Sequence, residues 1–245
     1  MSEEVESINP YDDSRRKTEQ VRAMFDNIAP AYDFMNRAMT LGIDKIWRRK
    51  AVEMIATPRP RDILDVATGT GDLAMLLARR LDPLTITGID LSEGMLAVGR
   101  RKAAEAGLAD VVSFQQADCL HLPFTGNSFD CVTVAYGVRN FEDIEGGYCE
   151  MFRVLRPGGR LLVIELSTPS GRLVKPLYDL YTRHIIPLAG RMVSKDTRAY
   201  AYLPESIAAV PQGEQMAELM RRAGFTSVTV RPLTFGVCTI YLAVK

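Results

Sequence analysis

Four carboxylates fall where strand ends and tight turns could present them to a ligand. Asp65 lies in the apolar run that opens "ILDVATGTGDLA", residues 63–74, and Asp72 follows two glycines, Gly69 and Gly71. The next two strand-like runs close on Asp90 and on Asp118, the latter followed by Cys119. Glycines on a turn leaving a strand tolerate tight backbone angles and let a ligand approach the main chain. An acid at the end of the following strand can accept hydrogen bonds from ribose hydroxyls. Three ligands are open to such a loop: a dinucleotide, a phosphate, or a nucleoside without phosphate.

The spacing Gly69-x-Gly71-x-x-Ala74 also fits the looser dinucleotide fingerprint, in which a pyrophosphate rests on free helix N–H groups. Asp72 occupies that helix start, and Asp65 adds a second negative charge just before the loop. Such surroundings favour a cationic amino-acid group over a diphosphate. Asp118 with Cys119 offers an edge for an adenine. The ligand that suits all of these is S-adenosyl-L-methionine, which carries a sulfonium, an ammonium and a ribose but no phosphate. Glycines serving only a tight turn are the plain alternative, and the two strand-end acids weigh against it. An NAD-dependent dehydrogenase is disfavoured by the acidic loop and by the lack of a hydride-transfer constellation.

The elements that must hold these residues alternate strand and helix. Short apolar strands are expected at 62–68, 85–90, 112–118, 129–137 and 159–167, with helices at 72–81, 92–107 and 143–155 between them. Near-continuous apolar strands of this kind imply a parallel sheet covered on both faces. A helix at about 212–223 is followed by two consecutive strands, 226–233 and 237–245, whose short connection forces an antiparallel pair. The predicted fold is therefore α/β: a doubly wound, mostly parallel seven-stranded sheet with one antiparallel strand near its edge and an N-terminal helical lid. The whole chain, 1–245, reads as one domain. Residues 1–57 form the lid, 58–171 the cofactor-binding core, 172–205 a substrate-covering insertion, and 206–245 the last helix and strand pair.

The 245 residues carry 30 basic and 30 acidic side chains, so no broad nucleic-acid surface is expected. Local basic clusters, Arg48–Lys50 and Arg100–Lys102, read as solvated helix faces. The four cysteines show no pairing with metal-ligand spacing, which argues against a metal site and for reduced thiols in a cytoplasmic protein. No apolar run is long enough to span a bilayer.

Two longer stretches carry a resemblance. "YDFMNRAMTLGIDKIW", Tyr32 to Trp47, and "RVLRPGGRLLVIELS", Arg153 to Ser167, are similar to the two signatures of the quinone C-methyltransferases of menaquinone and ubiquinone biosynthesis, within the class I S-adenosylmethionine-dependent methyltransferases. "YGVRNFED" and "YAYLPESI" also match segments of that family. Three positions depart from it: Thr40 stands for serine, Asp44 for histidine and Arg156 for lysine. The resemblance implies methylation of a ring carbon of a polyprenylated quinol, with demethylmenaquinol favoured. The alternatives are the benzoquinol precursor of ubiquinone, another apolar acceptor such as a sterol or fatty acid, and a non-catalytic cofactor-binding subunit.

By that resemblance Thr70, Asp90, Asp118 and Cys119 hold the cofactor. The residues themselves point to Asp65, Gly69, Gly71, Asp90 and Asp118. Arg139 and Asn140, just past the fourth strand, are placed where substrate chemistry occurs in this fold class and would orient or stabilise a phenolate. Tyr32 and Asp33 from the lid, with Tyr136, would face the substrate. His121 and His184 are the two histidines open to the role of base, each with an ordinary loop position as its alternative. In the segment 172–203, Leu173, Leu177, Leu180, Tyr181 and Ile185 share a helical face, which fits either a pocket wall or an interfacial helix in peripheral contact with a membrane. Oligomeric state stays open, a homo-oligomer among the options.

Overall fold

The computed structural model describes residues 3–11, 13–172, 174–182 and 197–245. Seven strands form one sheet: β1 (Asp62–Val66), β2 (Thr85–Asp90), β3 (Val112–Gln116), β4 (Phe129–Ala135), β5 (Leu155–Leu166), β6 (Ser227–Leu233) and β7 (Cys238–Val244). Their order across the sheet is β3-β2-β1-β4-β5-β7-β6. The first five run parallel, and β7 is antiparallel to both β5 and β6. This is the single reversed strand that the short 233–238 connection predicts.

The central strands β1 and β4 are buried almost end to end, whereas the edge strand β6 alternates between exposed and half-buried residues. That contrast follows from helices covering both faces of the parallel part. Helices Asp72–Leu81, Glu93–Glu105 and Ile144–Val154 connect successive strands. Two of them begin on side-chain caps: Ser92 accepts from the Met95 amide and Asp143 from the Gly146 amide. Each cap satisfies one otherwise unpaired N–H, so strand ends and helix starts are fixed beside the ligand loops.

The β5 strand begins earlier than the sequence pattern indicates. Leu155 already pairs with Phe129, and a register shift before the Cys131–Arg160 pair absorbs the Pro157-Gly158-Gly159 stretch as a bulge. Thr197–Ala209 forms one helix with Pro204 inside it, crossing the boundary expected at 205 between the insertion and the last helix and strand pair.

The lid supplies helices Glu3–Ser7, Lys17–Ile28, Tyr32–Thr40 and Asp44–Met54. They are pinned to the core by polar contacts as well as apolar ones. Asp26 Oδ1 accepts from Ser92 Oγ at 2.6 Å and from the Gly94 amide at 3.0 Å. Val5 is fully buried, and its carbonyl accepts from Lys17 Nζ at 2.5 Å.

Candidate active site

The strand order reverses between β1 and β4, so the loops leaving these two strands diverge and open a cleft at their carboxyl ends. Gly69, with φ +57°, lines this cleft together with Asp90, Asp118, Cys119, Tyr136 and Asn140. From the lid, Thr18, Val21, Phe25 and Tyr32 close over it. Among the described residues its wall holds three carboxylates, Asp90, Asp118 and Glu142, and no lysine, arginine or histidine. A diphosphate would therefore meet only like charge, while a cationic nucleoside would not.

Asp90 bridges the two loops beside it. One carboxylate oxygen accepts from the Gly69 amide at 2.8 Å and the other from the Ser92 amide at 2.9 Å. Burial pushes its pKa up to about 6, against the pull of these amides. Each oxygen keeps a second lone pair able to accept from a ribose hydroxyl. Cys119 is a neutral thiol, its pKa raised by burial and by Asp118.

A second cavity of about 340 Å³ adjoins the first, and Tyr32 and Tyr136 belong to the walls of both. Its lining is largely apolar: Met39, Leu41, Ile43, Trp47, Leu166, Val174, Leu177, Leu203, Ile207 and Val237 among others. Helices of the lid form one side, and the helix Val174–Leu180 with the helix Thr197–Ala209 forms the other. Tyr181 donates to the Met39 carbonyl at 2.6 Å and so ties the two sides together. Trp47 is held by its indole N–H, which donates to Thr234 Oγ1 at 2.8 Å.

The charged residues of this region are few and buried. The Arg139 guanidinium donates to Glu165 Oε1 at 2.9 Å and to the Tyr136 carbonyl, and both partners of the ion pair are nearly inaccessible. Arg48 pairs with Asp44, which also accepts from Thr40 Oγ1 at 2.8 Å, and its guanidinium lies 5.2 Å from the centre of the Tyr136 ring. Among the described residues five buried side-chain polar atoms lack a hydrogen-bond partner: Arg48 Nε, Tyr136 OH, Arg139 Nε, Asn140 Oδ1 and Tyr202 OH. All five residues line the two cavities or the small recess between them that Tyr32, Arg139, Asn140 and Tyr202 share. Unpaired buried polar atoms are rare in folded proteins, and their concentration here marks a place built for a ligand.

Several residues expected at the cofactor lie elsewhere. Asp65 does not line the cleft. It is buried within β1, accepts from Thr68 Oγ1 at 2.6 Å and Thr133 Oγ1 at 2.5 Å, and burial raises its pKa to about 6. Gly71 also lies outside the wall: a Cβ there would sit 2.7 Å from Phe114, so its missing side chain makes room for that ring. Thr70 donates to Asp33 Oδ1 at 2.6 Å, and Lys102 Nζ bridges Asp33 Oδ2 at 2.6 Å and Asp72 Oδ1 at 2.5 Å. Burial opposes the Asp72 charge, yet Lys102, Arg48 and Arg37 hold its carboxyl below the usual range. These four residues latch the lid to the glycine loop and line neither cavity, so Asp33, expected to face the substrate, is instead held by Thr70 and Lys102. The acidic surround inferred from Asp65 and Asp72 is thus supplied by Asp90, Asp118 and Glu142.

Arg48 and Lys102, read as parts of solvated faces, are a buried cavity residue and a half-buried bridge. His121 is exposed and outside both cavities, and His184 lies outside the described residues. Of the proposed helical face, Leu177 and Tyr181 line the apolar cavity and Leu180 is exposed, while Leu173 and Ile185 lie outside the described residues. Glu165, Arg48, Trp47 and Tyr202 escaped sequence reasoning. Glu165 carried a signal, as the one charge inside the apolar run "LLVIEL".

A sheet in this order, with β7 reversed between β5 and β6, a glycine turn after β1 and an acid ending β2, defines the class I methyltransferase fold. The chain superposes with a TM-score of 0.64 on an S-adenosylmethionine-dependent methyltransferase of Thermotoga maritima, at 18% identity, covering 91% of this chain and 99% of that one. The model of the ubiE/COQ5 methyltransferase family matches residues 13–245, and the chain belongs to this family. It is 49% identical to the demethylmenaquinone methyltransferase of Bacteroides fragilis over the full length of both chains. It is 44% identical to the ubiquinone/menaquinone biosynthesis C-methyltransferase of Geobacter sulfurreducens, covering 94% of this chain and 90% of the relative.

Proposed function

We propose that the protein methylates a ring carbon of demethylmenaquinol, giving menaquinol, with S-adenosyl-L-methionine as donor. The observation that carries this reading is the junction of two unlike cavities at Tyr32 and Tyr136, one acidic and one apolar. The donor supplies an electrophilic methyl group on a cationic sulfur. The acidic wall fits that cation. Asp90 has lone pairs for ribose hydroxyls, and the unpaired Asn140 Oδ1 offers an acceptor for an ammonium.

The apolar cavity suits an isoprenoid-substituted aromatic ring. A hydroquinol becomes nucleophilic at carbon when a neighbouring hydroxyl gives up its proton and charge moves into the ring. Arg139 would hold that charge, because it lines the apolar cavity, Glu165 fixes its guanidinium and its Nε has no partner. A preorganised donor of this kind costs no reorganisation as charge develops. Tyr136 stands between ring and donor, and its hydroxyl, kept protonated by burial, is a second hydrogen-bond donor. Holding carbon and methyl near attack distance, with water excluded by Met39, Trp47 and Leu203, can lower the barrier by up to roughly 7–11 kcal/mol.

The prenyl tail of such a substrate remains in a bilayer, so the enzyme takes the ring at a membrane surface. No helix among the described residues is long and apolar enough to cross one. A benzoquinol acceptor is the second reading, favoured by the Geobacter relative, a C-methyltransferase of ubiquinone as well as menaquinone biosynthesis by name. Quinone extracts of cells lacking the protein separate the two. Accumulated demethylmenaquinone supports the proposal, a demethylated benzoquinone selects the second reading, and unchanged quinones refute both.

A further inference from the structure

Outside the candidate active site the molecule carries a third, chemically distinct cavity of about 260 Å³. Arg37, Lys45, Arg48, Arg49 and Arg79 converge on it from three helices, Tyr32–Thr40, Asp44–Met54 and Asp72–Leu81. Its one carboxylate, Asp72, is already bound to Lys102 at 2.5 Å. Among the described residues no ion pair engages Arg37, Lys45, Arg49 or Arg79, and all four are exposed. In a chain of zero formal net charge such a concentration is not a by-product of composition. A solvated helix face would spread its cations along one helix and interleave them with acids. Here they come from three helices and enclose a space.

What surrounds this cavity indicates what fills it. Arg48 lines it and also lines the apolar cavity, so the two share a wall. Leu41 and Leu177 belong to the apolar cavity, yet are 79% and 69% exposed, so they stand at its mouth. Leu41 lies one turn beyond Arg37 and four residues before Lys45. Phe34 and Ile46, on the same two helices, are 63% and 50% exposed. Unpaired cations beside protruding apolar side chains form the arrangement of a surface that lies in a lipid interface, with phosphates bound by the cations and side chains reaching the acyl boundary.

We propose that this basic cavity binds the phosphate of anionic phospholipid headgroups and thereby seats the mouth of the apolar cavity on the bilayer. The inference rests on the proposed function only for its purpose, delivery of a membrane-held ring; the lipid site itself stands on the cavity and its rim. Docking places Leu41 and Leu177 at the depth where an isoprenoid tail leaves the lipid.

The test is vesicle co-sedimentation of the full-length protein. At low salt the wild type is expected to pellet with vesicles of 30% phosphatidylglycerol in phosphatidylcholine and not with phosphatidylcholine alone. Each cation near an anionic surface contributes about fivefold, so Arg37→Gln, Lys45→Gln and Arg49→Gln combined should weaken vesicle binding on the order of 100-fold. Ile46→Asp should weaken it through the apolar rim with the cations intact. Circular dichroism melts should match the wild type, since these side chains are exposed. Equal binding to both vesicle types, or unchanged binding by the triple variant, overturns the proposal. So does saturation by inorganic phosphate without any vesicle binding, which would make the cavity a soluble-anion site. Methyl transfer to a short-tailed demethylmenaquinol in detergent is read in parallel. If the triple variant loses that activity as well, the cations belong to catalysis and docking is refuted. If the wild type binds vesicles but shows no such activity, the proposed function fails and the lipid site stands.

Discussion

Replacing Glu165 by glutamine should destabilise the protein far more than a one-atom change suggests. Glu165 and Arg139 form an ion pair at 2.9 Å with side-chain exposures of 2% and 8%. The carboxylate is also the acceptor for the Arg139 amide at 3.3 Å and the Leu166 amide at 2.9 Å. Glutamine keeps the volume but turns one of its two termini into a donor that faces these donors, and it leaves the guanidinium charge without a partner. Breaking a buried pair on one side costs about 3–5 kcal/mol. At about 2–4 °C per kcal/mol for a chain of this size, the melting midpoint should fall by about 6–20 °C.

Stability and catalysis are separated by a second variant. Arg139→Met combined with Glu165→Gln removes the stranded charge, so the double variant should melt above Glu165→Gln alone. Turnover should not recover, because no guanidinium remains to stabilise the phenolate. Loss of one such preorganised donor typically lowers kcat by about 10²–10³. Calorimetric melting and single-turnover methyl transfer, run on the same preparations, test both statements. A double variant no more stable than the single would refute the stranded-charge argument. One that turns over within about threefold of wild type would remove Arg139 from the chemistry.

Cofactor affinity should fall with acid. Asp90 titrates at about 6 because of burial, and an acid whose folded pKa is raised lends stability when protonated and loses it as pH rises through that value. The unliganded protein should therefore gain from protonation between pH 7 and pH 5, while binding that needs the carboxylate weakens about tenfold per unit below pH 6. Isothermal titration from pH 5 to 8 checks this, and Asp90→Asn should abolish the dependence. Gly71→Ala should cost more than the roughly 1–2 kcal/mol of a left-handed alanine, because the new methyl meets Phe114 at 2.7 Å. Gly42→Ala, at φ +76° with no neighbour within 4 Å, should cost only the backbone part, and urea denaturation compares the two. Trp47→Phe should lose about 0.5–1.5 kcal/mol with its bond to Thr234, read in the same assay.

The elements that position the site were legible in the sequence because each obeys a local rule. Asp72–Leu81 starts and stops as its apolar spacing indicates, and Thr85–Asp90 spans the predicted strand. Asp90 and Asp118 could be found because a strand end in this topology is already an address. Arg48 and Lys102 could not, since a cation on an amphipathic helix looks the same whether it meets water or a carboxylate brought from far along the chain. Lys102 meets Asp72 from the next helix of the core and Asp33 from the lid, carboxylates 30 and 69 residues away in the chain. Asp65 misled for the converse reason. Its place before the glycine loop is that of a ligand residue, but Thr133 on β4 claims one of its oxygens, and only strand pairing reveals that.

The junction of the two cavities shows how tertiary structure maintains a conformation that local preference opposes. Tyr136 has φ +60° and Ala67 has φ +51°, left-handed values that cost a side-chain-bearing residue on the order of 1–3 kcal/mol each. They occupy equivalent places, just past the carboxyl ends of β4 and β1, on the two loops that part at the reversal of strand order. The Tyr136 amide is fixed by the Ile164 carbonyl at 2.7 Å, so the β4–β5 pairing dictates its backbone. Gly137 lies where these loops touch: a Cβ there would fall 2.6 Å from the Ala67 methyl. The loops can close on one another only because residue 137 has no side chain. That closure turns the Tyr136 ring under Arg48 and into the wall between the acidic and the apolar cavities. The backbone cost is borne by the sheet, and the geometry it maintains is the one a methyl transfer between those cavities would require.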